Sequence, residues 1–300
     1  MDALRNVLTR LEKEGAALGH FNVADLVFLK AVFAAAVEIR VPVLVGASEG
    51  ERDFFGTRQL AAVVNSLRED SDAFVFLNAD HTHSLLKAVE AAKAGFDAIV
   101  VDFSGLPFEE NVSSTKEAVE AIKTINAAIL VEGEIGDIGT GSQIHNSVQS
   151  EPRALTTPEE AKQFVQSTGV DILAPSVGNM HGMVRSMVQG KTRKRLDIGR
   201  ITRIKKAAQV FLTLHGGSGT NDEDFQKSIA AGINIIHINT ELRVAWRRSL
   251  ETSLDEEPNQ VVPYKILRPV VDSVEEVVRS RLKLFNARRS IEAMFPSNAK

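Results

Sequence analysis

Asp80, His81 and His83 fall within four consecutive positions at the end of an apolar run, in the stretch "LNADHTHS" (77–84). Such side chains can hold a metal, form an acid–base pair, or do no more than open a helix. The other candidates for chemistry are dispersed: Glu132 and Glu134 in "VEGEIG", His181 in "APSVGNMHGM", His215 in "LTLHGG" and His237 in "IIHINTEL". Each ends or follows a β-type run. Taken singly, each histidine reads as a hydrogen-bonded polar residue near a strand end. Taken together, three imidazoles from separate strands would satisfy a catalytic zinc, which takes about four ligands and keeps one position open. Their convergence is an expectation that spacing alone does not establish. The chain has no cysteine, so disulfides and thiolate zinc sites are excluded, and any metal must rest on His, Asp and Glu.

Two turns look suited to an anion. "LHGGSGTND" (214–222) places Gly216, Gly217, Ser218 and Gly219 between a strand and a helix start. Glycine lets backbone N–H groups turn toward a phosphate, and the helix N-terminus adds positive partial charge. "INTEL" (238–242) offers Asn239 and Thr240 in the same way, and Arg185 in "HGMVRS" could reach a phosphate from a neighbouring loop. The bland alternatives are plain glycine turns and a surface arginine.

Eight short apolar runs position these residues: 16–22, 41–47, 73–79, 97–103, 127–135, 170–178, 209–216 and 233–239. Most are continuously apolar, as a parallel sheet covered on both faces requires. Helical periodicity fills 25–40, 57–70, 84–95, 113–126, 157–169 and 221–232. Thr157, Pro158 and Glu160 resemble a capping box, and Asn221 reads as an N-cap. The turns in "AGFDAIV", "TGVDILA" and "AGINIIH" each close a helix on glycine and launch a strand. Eight βα units without a composition break imply a single (β/α)8, or TIM, barrel over about 15–250, with a C-terminal helical extension over about 251–300. A doubly wound open sheet is the runner-up. Residues 136–157 form a long polar Gly/Ser-rich loop after strand five, the kind that often acts as a mobile lid.

The 44% hydrophobic and 25% charged content of the 300 residues is ordinary for a soluble globular protein, and the net charge of −4 argues against nucleic acid as the main partner. No apolar run approaches the roughly 18 residues of a membrane span, and the charged, amphipathic N-terminus lacks a signal-peptide core. A cytoplasmic protein without a membrane partner is expected.

At this point "GHFNV", "NADHT", "VDFSGLPFEENV", "VEGEIG", "SVGNMHGM" and "LHGGSG" matter as an ordered set. From about residue 15 to 250 the chain resembles the class II, metal-dependent ketose-bisphosphate aldolases, which include fructose-bisphosphate and tagatose-bisphosphate aldolases. The resemblance implies reversible cleavage of a ketose bisphosphate to dihydroxyacetone phosphate and an aldehyde. It makes His81, His181 and His215 the zinc ligands, Asp80 the acid–base residue, and Glu134 a supporting or alternate metal ligand. Gly182, Arg185, Gly216, Ser218 and Thr240 fall where such enzymes hold the C1 phosphate. Asn22, Ser48, Gly217 and Asn239 complete the expected substrate-binding set. It further implies a homodimer or homotetramer, and a monovalent cation (Na+ or K+) near Gly178 and Ser218. His83 matches no ligand and reads as a helix-start or surface residue. The alternative aldolase strategy, a Schiff base on a strand lysine, is disfavoured because none of the eight runs contains a lysine.

Two departures stand out. His237 occupies a position where asparagine is usual, with Ile235 in place of a lysine two residues before it; either His237 donates to the same substrate oxygen or Asn239 replaces the amide from a shifted position. The loop after strand five carries Asp137, His145 and Glu151 as titratable residues, and Glu151 is the candidate base for the C3 proton. Fructose 1,6-bisphosphate is the expected substrate. Tagatose bisphosphate or another ketose phosphate is the alternative, and a non-catalytic sugar-phosphate-binding barrel a further one.

Overall fold

A computed structural model describes residues 3–71, 74–139, 141–145 and 155–287. The chain forms ten strands: β1 (Leu18–Asn22), β2 (Val43–Ala47), β3 (Val75–Thr82), β4 (Ala98–Val101), β5 (Leu130–Ile135), β6 (Ile144–His145), β7 (Ile172–Pro175), β8 (Met183–Val184), β9 (Phe211–Leu214) and β10 (Ile233–Ile238). Eight of them close a parallel barrel in the order β1-β10-β9-β7-β5-β4-β3-β2, and β6 pairs with β8 in a separate two-stranded sheet. The eight barrel strands lie at the eight apolar runs, and the open sheet is excluded.

Among the described residues twelve helices accompany them: α1 (Leu4–Lys13), α2 (Leu26–Ile39), α3 (Glu49–Phe55), α4 (Thr57–Glu69), α5 (Leu85–Ala94), α6 (Phe108–Ile125), α7 (Pro158–Thr168), α8 (Arg185–Val188), α9 (Ile198–Ala208), α10 (Asp222–Ala231), α11 (Thr240–Glu256) and α12 (Pro263–Phe285). Local chemistry sets many of their ends. Ser84 caps α5, Thr157 and Glu160 form the capping box of α7, and Asn221 caps α10. Helix α6 starts five residues before the periodic run, with Glu109 and Glu110 in its first turn, where the helix dipole favours negative charge. Helix α3, directly after β2, was not visible as periodicity. In the C-terminal extension, α12 packs on α2 and α11.

The strand period of two divides the barrel interior into layers. Leu18, Leu44, Phe76, Ala98, Leu130, Ile172 and Ile235 form an apolar floor, closed from below by Leu4, Val7, Leu8 and Leu11 of α1. Two residues further along the same strands come His20, Asn78, Glu132, Thr213 and His237, all buried. Two further still are Asn22, Asp80, Asp102, Glu134 and His215. Barrels are commonly filled with branched apolar side chains. In this one the layers above the floor are largely polar, with Val100 and Ala174 as buried apolar members of the second.

Leu8 is fully buried in that floor. Leu8→Ala should destabilise the protein by about 2–5 kcal/mol, seen as a lower melting temperature, and leave metal stoichiometry unchanged. A change in metal stoichiometry would contradict the separation of floor and site.

Candidate metal centre and active site

A regular strand would send Asp80 and His81 to opposite faces. Here the β3–β4 register shifts between Ala79 and Thr82, and His81 adopts φ 40°, a left-handed conformation rare outside glycine. The irregularity brings both side chains to one site. The His81 and His181 ring centroids lie 4.8 Å apart, His81 and His215 4.8 Å, and His181 and His215 5.8 Å. Glu134 of β5 joins them, so that one ligand atom from each of the four residues lies within 4.8 Å of the others.

The outer nitrogens of two rings are already engaged. His81 Nδ1 bonds Asp102 Oδ2 at 2.7 Å, and His215 Nε2 bonds Glu132 Oε1 at 2.6 Å. Each carboxylate fixes the ring's orientation and leaves the opposite nitrogen facing the centre. Those inward atoms, His81 Nε2 and His215 Nδ1, face each other at 3.2 Å, with Glu134 Oε2 3.4 Å from the latter. His181 Nε2 and Glu134 Oε2 are buried without a hydrogen-bond partner. Lone pairs converging in a buried site call for a cation among them. An all-nitrogen-and-oxygen donor set of three imidazoles and a carboxylate fits a divalent transition metal.

The electrostatics agree. Burial opposes an imidazolium at His81, but Asp80, the Asp102 hydrogen bond and Glu134 outweigh it and raise the ring to about 10. Burial and the charge of Asp102 push Glu134 up to about 7, against the pull of His215 and His81. Burial also opposes ionisation of Asp80, yet the His81 charge and His237 hold its carboxyl well below the usual range.

A cavity beside this cluster is lined by Asn22, Asp80, Ser142, His181, Gly182, Gly216, Ser218, His237, Asn239 and Thr240. His181 belongs to both cavity and cluster, and Asp80 lines the cavity 3.9 Å from His81 Nε2. Ser218 Oγ accepts from the backbone N–H groups of Asn239 and Glu241, each at 3.2 Å, which ties the glycine loop to the N-terminus of α11. Three expected substrate residues are not among the lining ones. Ser48 is engaged in capping α3, its N–H and Oγ both donating to Glu51 Oε2. Gly217 closes the loop against β10; a Cβ there would fall 2.7 Å from the His237 carbonyl. Arg185 opens α8 and is exposed, because the chain turns outward after β8.

His237 lines the cavity, stacked between His20, at 3.5 Å and 7°, and His215, at 4.1 Å and 24°. Its Nδ1 lies 3.5 Å from Asp80 Oδ1, and burial holds the ring well below its usual pKa, hence neutral. His20, which burial lowers to about 4, fits only because residue 46 is glycine: a Cβ there would meet its ring at 2.0 Å.

Glu51, Arg52, Asp102 and Arg243 had no role in the sequence reading, and they support residues that did. Asn22 Nδ2 bonds both Asp80 Oδ2 (2.9 Å) and Glu51 Oε2 (3.0 Å). Glu51 Oε1 accepts from Arg243, and Arg243 also donates to the Ser142 carbonyl at 2.9 Å. A polar chain therefore runs from Asp80 to the loop after β5. Buried Arg52 holds β3 from behind, through the Asp80 carbonyl and Thr82 Oγ1. Asp102 lies in the "VDFSG" motif, and Glu132 shares a strand face with Glu134; those were the available signals. In the loop, Asp137 Oδ1 accepts from Gly139 N, and His145 lies in β6 against Gly182. Glu151 lies outside the described residues. His83 is exposed and outside the four-residue cluster.

The profile of the family described as "Fructose-bisphosphate aldolase class-II" matches residues 2–290. The chain belongs to this family. It is 33% identical to a fructose-bisphosphate aldolase of Thermus caldophilus, across 94% of this chain and 96% of that protein. It is 31% identical to a probable fructose-bisphosphate aldolase of Bacillus subtilis, across 95% and 97%. Among solved structures, the YdjI aldolase of Escherichia coli K12 is similar with a TM-score of 0.77 at 28% identity, covering 95% of this chain and 97% of that one. A putative fructose-1,6-bisphosphate aldolase of Coccidioides immitis gives a TM-score of 0.82 at 26% identity, covering 97% and 99%. Class II aldolases are carbon–carbon lyases that depend on a divalent metal, and the His/Glu cluster of this aldolase fits one. Among the described residues no helix is long and apolar enough to cross a membrane.

Two measurements check the metal centre. His181→Ala should lose bound metal while His83→Ala keeps it; full metal content in the first variant would remove His181 from the ligand set. The raised His81 value means that the metal-free site holds a proton at neutral pH, which a ligand must give up. Apparent affinity should therefore rise with pH, by about tenfold per unit below the raised value. Calorimetry in buffers of different ionisation heat should show proton release, and pH-independent affinity would contradict the assignment.

Proposed function

We propose that this chain is a zinc-dependent aldolase that reversibly cleaves fructose 1,6-bisphosphate to dihydroxyacetone phosphate and glyceraldehyde 3-phosphate. The observation that carries the reading is the convergence of His81, His181, His215 and Glu134 beside a cavity whose wall presents Asp80. The three histidines hold the metal, with Glu134 as a fourth or alternate ligand. When bound, zinc supplies Lewis-acid stabilisation of the negative charge that C–C cleavage leaves beside the carbonyl.

The chain's own residues do the rest. Asp80, ionised at neutral pH, takes the proton of the C4 hydroxyl as the bond breaks and returns it in the condensation direction. Asn22 aims Asp80 through their 2.9 Å hydrogen bond. Neutral His237 offers a ring nitrogen to the substrate oxygen next to Asp80. Gly182, Gly216, Ser218, Asn239 and Thr240 surround the C1 phosphate with loop backbone and the α11 N-terminus, supported by the way Ser218 stitches these loops together. Gly217 keeps that loop closed against β10, and Ser48 and Arg185 complete the substrate-binding set from outside the cavity wall. The C3 proton goes to an acidic residue of the loop after β5, for which Glu151 is our candidate. The enzyme works in the cytoplasm as a homodimer or homotetramer.

Purified protein should cleave fructose 1,6-bisphosphate, lose activity to a chelator and regain it with zinc. Asp80→Asn should lower kcat by about 10²–10⁴-fold with metal content unchanged. Full activity after complete metal removal would sink the mechanism. Faster turnover of tagatose 1,6-bisphosphate, assayed side by side, would move the substrate assignment to that epimer.

A further inference from the structure

The resemblance implied a Na+ or K+ near Gly178 and Ser218, and in the loops that carry these residues a cage of backbone carbonyls is already filled. Lys194, in the segment between α8 and α9, is buried, and its Nζ donates to three backbone carbonyls: Met180 at 2.6 Å, Gly182 at 2.7 Å and Gly216 at 2.8 Å. Carbonyl oxygens converging on one point are the donor set that takes an alkali ion or an ammonium group. Here the chain's own ammonium fills the position.

The backbone around Lys194 is equally fixed. Its N–H donates to the Gly219 carbonyl at 2.9 Å, its carbonyl accepts from Asn221 N at 3.4 Å, and it bridges Thr220. The two loops it joins approach so closely that a Cβ on Gly216 would fall 2.2 Å from the Met180 carbonyl oxygen. The gripped carbonyls have particular places. Those of Met180 and Gly182 bracket His181, and that of Gly216 follows His215. Gly182 and Gly216 also line the cavity, with Ser218 beside them.

We propose that Lys194 is a built-in cation: its ammonium takes the place of a dissociable monovalent ion, locks together the loops that carry His181 and His215, and makes the enzyme independent of Na+ and K+. Lys194 is a positioning residue, acting through the backbone it holds. A charge tethered to the chain cannot dissociate, so the loop geometry does not vary with salt composition. The inference rests on the aldolase reading only where turnover is measured.

The test uses the zinc-loaded enzyme at constant ionic strength in tetramethylammonium, sodium and potassium chlorides; tetramethylammonium is too large for a carbonyl cage. Wild type should show the same kcat and KM for fructose 1,6-bisphosphate in all three, and a saturable activation by Na+ or K+ overturns the proposal. Lys194→Ala in tetramethylammonium should raise KM roughly tenfold or more, the scale of losing a charge-assisted hydrogen-bond set, and Na+ or K+ should restore it. A loss that neither ion restores marks a purely structural residue and overturns the proposal. Thallium NMR and melting of the wild type decide without turnover or a folded variant. No saturable thallium site and one melting temperature in the three salts support the built-in cation, and a saturable site overturns it. If fructose 1,6-bisphosphate is not cleaved at all, the function fails while these two readouts still judge Lys194.

Discussion

A carboxylate sits inside the barrel under the clustered histidines, and much of the site depends on how it is satisfied. Glu132 is buried in the middle of the barrel, and burying a charge is costly unless it is paired and hydrogen-bonded. Its two oxygens take His215 Nε2 at 2.6 Å and Thr213 Oγ1 at 2.9 Å. That pairing fixes the His215 tautomer and directs Nδ1 to the centre. It also accounts for the polar residue at position 213, since an apolar side chain there would leave Glu132 without that donor.

The same device recurs at His81, where Asp102 plays the part of Glu132. His181 differs. Among the described residues its side chain has no such carboxylate, and its position is set through the backbone, by the Ile138 carbonyl and by the carbonyls that Lys194 grips on either side of it. Asp80 stands outside this set, held by Asn22 and, through its carbonyl, by Arg52. The clustered histidines and Asp80 thus have separate supports, so that the position of one does not hang on the other.

The fold was largely readable because its signals are local. Continuous apolar runs marked buried parallel strands, and Thr157, Glu160, Asn221 and the closing glycines marked helix ends. The histidines that converge on the candidate centre were readable because each follows such a run. What escaped depends on contacts between distant segments. Glu51, Arg52, Arg243 and Lys194 look in sequence like surface charges, and only closure of the barrel buries them or pairs them across it. Asp102 and Glu132 were placed near strand ends, but their partners lie 21 and 83 positions away. Arg185 had a suitable charge, and the outward turn into α8 removes it from the cavity wall. The joint placement of Asp80 and His81 needed a strand irregularity that alternation does not foretell.

The central claim is that buried carboxylates set the ligand histidines, with Glu132 acting through His215. The most direct measurement is the zinc dissociation constant of Glu132→Gln against wild type, with competing chelators. The account predicts weaker binding by about 10–100-fold with the fold retained. An unchanged constant in a folded variant would contradict it.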